Sequence, residues 1–255
     1  MKTNPSSRFA FGAMQFGGTA SAEDARAMYH ACRAAGVAHF DTAYAYTGGA
    51  SERLLGALIR PEREAIFLAT KAGYEGGSSR ANILTTFDES RQRLGCDHVD
   101  LLYLHRWDDT TALEETFETL AELQQQKLIG HIGVSNFAAW QVMKAQSVAQ
   151  SLGTRIDFIQ PMYNLVKRQV EVEILPMCQS EAIIPCTYSP LGGGLLTGKY
   201  SSDTSQGRLV TDTRYAARYG LPEMHAAATR LNALAAALNT HPATLAAPLR
   251  HTIRR

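Results

Sequence analysis

Two textures alternate along the chain. Short runs dense in apolar, β-branched and aromatic residues read as strands: 38–43 (AHFDTA), 66–71 (IFLATK), 99–105 (VDLLYLH), 129–135 (IGHIGVS), 157–163 (DFIQPMY) and 182–188 (AIIPCTY). Between them, at 23–35, 51–60, 82–94, 112–127 and 137–151, apolar residues recur at spacings of three and four, the period of an amphipathic helix. Strands alternating with helices predict βαβ units and a parallel sheet. The strand starts fall about 25 to 33 residues apart, close to one βα unit each time. No GxGxxG follows the first strand, so the rhythm favours a (β/α)8 barrel of the TIM type over a doubly wound sheet.

The pattern then thins. After the sixth strand come LGGGLLTGKY, a Ser/Thr-rich stretch at 201–213 read as a loop, and one helix at 223–239, with a stop at 239–242 and a restart at HPATLAAPLR. No further strand is legible. The expected fold class is therefore α/β, a (β/α)8 barrel lacking its last two βα units, as a single domain over 1–255. Strands one and six would be open edges, and open edges favour a homo-oligomer.

Composition changes this picture little. The chain has 255 residues, 45% hydrophobic and 19% charged, an ordinary globular profile. Lys+Arg is 25 against Asp+Glu 24, so no basic excess points to nucleic acid. No apolar run reaches the roughly 18 residues of a membrane span, and the opening MKTNPSSRFAFGAMQFGG has no apolar leader core. Cys32, Cys96, Cys178 and Cys186 are scattered without a CxxC, which fits a reduced, cytoplasmic setting and no metal cage.

Candidate chemistry lies at the strand ends, where parallel barrels carry their active sites. Asp41, with Tyr46 a short turn later, Lys71 and His105 follow the first three predicted strands. Ser135 and Asn136, Gln160, and Tyr188 with Ser189 follow or lie on the next three. Each taken singly reads as a cap, a surface charge or a structural histidine. Together, an acid, a phenol, an amine and an imidazole form a proton-transfer set. A free phenol titrates near about 10, and a neighbouring ammonium favours the phenolate and lowers that value. Lys71 can supply the charge, Asp41 can hold Lys71, and His105 can hydrogen-bond a substrate carbonyl oxygen. Such a set suits protonating an oxygen that gains charge as a hydride arrives.

These residues sit in segments that resemble the aldo-keto reductase family. The segments are DTAYAY with GGASERLLG, LATKAG, LLYLHRWD, IGHIGVSNF, IQPMYN and YSPLGGGLLTGKY, in family order from about Phe9 to about Leu249. The set looks most like bacterial members related to the potassium-channel β-subunits. The resemblance implies direct hydride transfer from NADP(H) to a small aldehyde or ketone, with Tyr46 as general acid and Asp41, Lys71 and His105 completing a tetrad. It implies that Asp41, Ser135, Asn136 and Gln160 face the nicotinamide end, with the last three on the carboxamide. Tyr188 would stack on the ring, and Met14 would lie near the ribose. Ser189, Leu191, Gly193 and Lys199 would contact the pyrophosphate. Trp107 and Tyr74 read as either pocket lining or rim packing, and Tyr44 as a pocket or rim aromatic, the family spacing from Asp41 selecting Tyr46 over it as the acid.

The family normally continues past the HPATLA helix with a seventh strand and a helix that grips the adenosine 2′-phosphate. HPATLAAPLRHTIRR, with Pro248 where the helix should run on, reads as a truncation or a shifted frame. The expectation is weak dinucleotide binding or none, unless a partner chain supplies the missing wall. The alternative reading is a nicotinamide-binding regulatory protein or an inactive reductase-like copy.

Overall fold

The computed structural model describes residues 9–200 and 206–247. The expected helix break at Pro248, the tail after it and residues 201–205 lie outside them. By its internal contacts the chain divides into two compact units. The first spans Met1–Gln160 with Ala182–Cys186, and the second spans Pro161–Glu181 with Thr187–Arg255.

Among its described residues the first unit holds one sheet of seven strands, all parallel and in sequence order. They are β1 (Ala10–Gly12), β2 (His39–Asp41), β3 (Phe67–Ala72), β4 (Val99–Leu104), β5 (Ile129–Ser135), β6 (Phe158–Gln160) and β7 (Ile184–Pro185). The connections carry α1 (Ala22–Ala34), α2 (Ala50–Ile59), α3 (Arg80–Leu94), α4 (Leu113–Gln125) and α5 (Ala139–Ser151). All five helices and β2–β7 fall where the hydrophobic pattern places them. β1 is the correction: the structure has seven strands where six are legible, and the added strand is the first. The outer strands of the sheet are therefore β1 and β7, and the strand at 39–41 is paired on both sides.

Local chemistry explains the element boundaries. Ser21 caps α1: its hydroxyl accepts the Asp24 amide at 3.1 Å, and its own amide donates to the Asp24 carboxylate at 3.0 Å. Ser79 caps α3, which ends at Gly95 in the left-handed conformation. Strands β2, β3 and β4 are buried at every residue, as a parallel sheet covered on both faces requires.

The period of two along each strand decides what meets the site. His39 and Asp41, Phe67, Ala69 and Lys71, Leu101 and Tyr103, Gly133 and Ser135, and Phe158 and Gln160 share one face. The registers Lys71 to Tyr103, Tyr103 to Gly133, and Ser135 to Gln160 align them across neighbours. Phe67, Ala69, Leu101, Tyr103 and Phe158 form an apolar plug on that face, with Ile184 against it. A Cβ at Gly133 would stand 2.4 Å from the Tyr103 ring, so glycine there makes room for the phenol. Three strands separate β2 from β6 in the sheet, yet Gln160 Nε2 donates to Asp41 Oδ2 at 3.0 Å. The sheet curls to bring them together.

The second unit is built from α6 (Ile174–Glu181), α7 (Arg208–Thr211), α8 (Thr213–Tyr219), α9 (Pro222–Ala237) and α10 (Pro242–Ala246). Leu195, Leu196, Tyr219, Met224, Ala228, Leu231 and Ala246 make its main core. The break between α9 and α10 follows the predicted stop, with Asn239 at φ 49°. The predicted loop over 201–213 differs: Arg208–Thr211 and the start of α8 are helical, and Asp212 caps α8 by accepting the Arg214 amide.

Candidate active site

The carboxyl ends of β2, β3 and β4 bring four side chains together. Lys71 is 1% exposed and Asp41 is 6% exposed. The Lys71 ammonium is hydrogen-bonded to Asp41 Oδ1 and donates to the Thr42 carbonyl at 2.8 Å. Burial alone would push this amine's pKa down, but the charge of Asp41, then of Tyr46, outweighs it and the net direction is up. Lys71 is thus a fixed cation. Its Nζ lies 4.9 Å from the centre of the Tyr46 ring, and that ring meets the His105 ring edge-on at 5.6 Å.

Three phenols are candidates for the acid, and the structure sorts them. The Tyr44 ring lies 4.4 Å from the Arg93 guanidinium, which also donates to the Tyr44 carbonyl. Tyr103 is fully buried, and burial, then Cys186 and Asp41, hold its pKa well above the phenolic range. Tyr46 is half-buried and lies against both Lys71 and His105. It begins a tight turn, Tyr46–Gly49, in which Thr47 takes φ 48°. Hydrogen bonds hold that strained residue: Thr47 Oγ1 donates to the Phe16 carbonyl at 2.8 Å and accepts the Ser51 amide at 2.9 Å.

His105 is buried, and its Nδ1 has no hydrogen-bond partner among the described residues. Burial, then the cations Lys71 and Arg106, drive its pKa down to about 3. The imidazole is therefore neutral near pH 7 and is no source of protons there. Tyr74 packs on it at 4.7 Å, which places Tyr74 beside the site. The Trp107 ring meets Phe137 at 5.2 Å and Trp140 at 5.7 Å, and the two tryptophans line a cavity of about 320 Å³.

A second polar group adjoins the first. Ser135 Oγ donates to the Gln160 carbonyl at 2.9 Å and accepts Asn136 Nδ2 at 3.0 Å. Asn136, at φ 59°, also donates to the His105 carbonyl at 2.9 Å. One hydroxyl and two amides side by side supply both donors and acceptors, the chemistry a carboxamide needs and a bare phosphate does not. Through Gln160 this group touches Asp41. Met14 follows Ala13, whose amide donates to the Asp41 carbonyl at 2.8 Å, so it too lies near the end of β2.

The remaining predicted residues lie in the second unit. The Tyr188 amide donates to the Pro161 carbonyl at 3.0 Å, and the Tyr188 carbonyl accepts the Tyr163 amide at 3.1 Å. Ser189 sits at φ 58°, its carbonyl accepting Asn164 Nδ2 at 3.0 Å. Leu191 and Gly193 begin the glycine turn, where Gly192, Gly193 and Gly194 all have positive φ. Lys199 folds across Gly194, where a Cβ would stand 2.7 Å from its Nζ. Sequence reasoning gave no role to Asn164, the buried amide that pins Ser189, although IQPMYN contains it. It also passed over Arg106 in LLYLHRWD.

Residues 8–248 match the profile of the Aldo/keto reductase family. The chain belongs to that family. Among its relatives, it is 35% identical over 226 residues to an Oryza sativa subsp. japonica protein named "Probable voltage-gated potassium channel subunit beta", covering 82% of this chain and 66% of that one. It is 36% identical over 203 residues to the aflatoxin B1 aldehyde reductase member 2 of Mus musculus, covering 77% of this chain and 55% of that one. A solved glycerol dehydrogenase from Gluconobacter oxydans superposes with a TM-score of 0.81 at 28% identity, covering 96% of this chain and 79% of that one. The fold is the barrel type of the aldo-keto reductases in incomplete form, with seven parallel strands among the described residues. None of the helices described is long and apolar enough to cross a membrane.

Proposed function

We propose that the chain is an NADP(H)-dependent oxidoreductase that reduces an aldehyde or ketone, with Tyr46 as general acid. The observation that carries this reading is the half-buried Tyr46 phenol set between a fixed ammonium and a neutral imidazole. A bound NADP(H) supplies the hydride. The rest is the work of the chain's own residues. His105, with no charge to lose, hydrogen-bonds the substrate carbonyl oxygen and aims it at the phenol. Tyr46 donates the proton to that oxygen as negative charge develops there. Lys71 stabilises the phenolate left behind, and Asp41 keeps Lys71 cationic and in place. Ser135, Asn136, Gln160 and Met14 would hold the nicotinamide end of that cofactor, and Tyr188, Ser189, Leu191, Gly193 and Lys199 are the further residues that would hold it.

Aldehyde-dependent loss of NADPH absorbance tests the reading. Tyr46→Phe should cut kcat by about a hundredfold or more, because general acid catalysis contributes on that scale. Equal rates in the two proteins would overturn it. The likeness to a named potassium-channel subunit supports a second reading, a nicotinamide-binding regulatory protein. Tight NADPH binding with no turnover of any aldehyde would select it.

A further inference from the structure

One cation beside the candidate site has no acidic partner among the described residues. Arg106 follows His105 directly and is exposed. Its guanidinium carbon lies 5.1 Å from the centre of the Tyr74 ring, and the His105 imidazole lies 4.7 Å from that ring. Among the described residues Arg106 makes no ion pair and no hydrogen bond. The nearby acids are engaged elsewhere. Asp108 accepts from the Ser78 amide, the Thr110 amide and hydroxyl, and the Thr111 hydroxyl. Asp109 accepts the Trp107 indole N–H. Glu75, the residue after Tyr74, is exposed and makes no ion pair with Arg106.

We infer that Arg106, carried on the Tyr74 ring, is an anion-recognising corner of the substrate site. The preferred carbonyl substrates then bear a carboxylate or phosphate a few bonds from the reacting carbon. This inference rests on the carbonyl reading above. A planar guanidinium pairs two-pronged with either anion, and stacking on an aromatic face restricts its rotamers before the ligand arrives. An internal carboxylate would cancel the charge, and the described residues supply none there. Tyr74 bridges the two recognitions, touching the imidazole that takes the carbonyl oxygen and the guanidinium that takes the anion.

The test compares 4-carboxybenzaldehyde with 4-nitrobenzaldehyde, which are alike in size and differ in charge. Dissociation constants are measured by calorimetry, with kcat/KM alongside, for the wild type, Arg106→Gln and Arg106→Lys, and a thermal melt confirms that each variant folds. The wild type should bind the carboxylate about tenfold more tightly than the nitro compound, as expected for a charge-assisted bond. That ratio should collapse in Arg106→Gln, return in part in Arg106→Lys, and shrink with added salt. Equal affinities in the wild type, no binding of either aldehyde, or a preference that survives Arg106→Gln would overturn the inference. A preference lost in Arg106→Gln, in a protein that reduces neither aldehyde, would sustain the anion corner and remove the carbonyl reading. Both aldehydes reduced at an unchanged ratio in Arg106→Gln would do the reverse.

Discussion

Lys71 and Asp41 make a demanding pair, because both charges are withdrawn from water. Such a pair stabilises little in itself, yet breaking it strands a buried charge. Asp41→Ala should therefore destabilise the first unit by about 3–5 kcal/mol, as should Lys71→Met, while the double variant should lose much less than the sum. Urea unfolding of the four proteins checks this. Additive losses would mean that the two charges do not depend on each other. At this scale the sequence was informative about identity and silent about environment. Asp41, Tyr46, Lys71 and His105 were legible from their places at strand ends. That Tyr44 lies under Arg93 while Tyr46 faces Lys71 depends on a turn with Thr47 at φ 48°, which no residue pattern displays. Arg106 had no role in the sequence reading, because its lack of an acidic partner among the described residues is visible only in three dimensions.

Elements of ordinary length were legible and short ones were not. β1 has three residues, AFG, two of them exposed, so it offers neither alternation nor an apolar run. α6 carries Pro176 in its first turn, a position proline tolerates but one that reads as a helix stop. α7 and α8 adjoin Ser/Thr-rich sequence that reads as loop, and the core around Tyr219 makes them helical. Packing overrides propensity most plainly at Gly56 in α2. Glycine in a helix costs roughly 1 kcal/mol relative to alanine, so propensity alone predicts that Gly56→Ala stabilises. The structure predicts the opposite. A Cβ there would stand 2.3 Å from the Leu94 carbonyl oxygen and 2.7 Å from the Leu94 Cα, which are backbone atoms with little room to yield. The helix–helix approach of α2 and α3 should be forced apart, at a cost of about 1–3 kcal/mol. A lower melting temperature for Gly56→Ala bears this out, and a higher one shows that α3 moves freely.

Across the whole molecule, acid stability follows from two histidines that fold as neutral groups. Burial drives the pKa of His39 down to about 4, against the upward pull of Asp41 and Asp100, and its Nε2 has no partner among the described residues. His105 is driven down to about 3. In the unfolded chain both titrate near about 6.5. Below that value the unfolded chain takes up protons that the folded chain refuses. Stability is therefore full above about pH 6.5 and declines as the pH falls toward the folded values, by about 1.4 kcal/mol per pH unit for each group. The two tryptophans, Trp107 and Trp140, both belong to the first unit, as do both histidines, so tryptophan fluorescence reports the unfolding that matters here. The urea midpoint of the wild type should fall between about pH 7 and pH 5. His39→Leu removes one of the two proton-binding differences and should flatten that fall, whatever it does to the midpoint at neutral pH. Parallel curves for the two proteins would show that His39 takes up its proton in the folded state, and that the floor beneath Asp41 and Lys71 admits water.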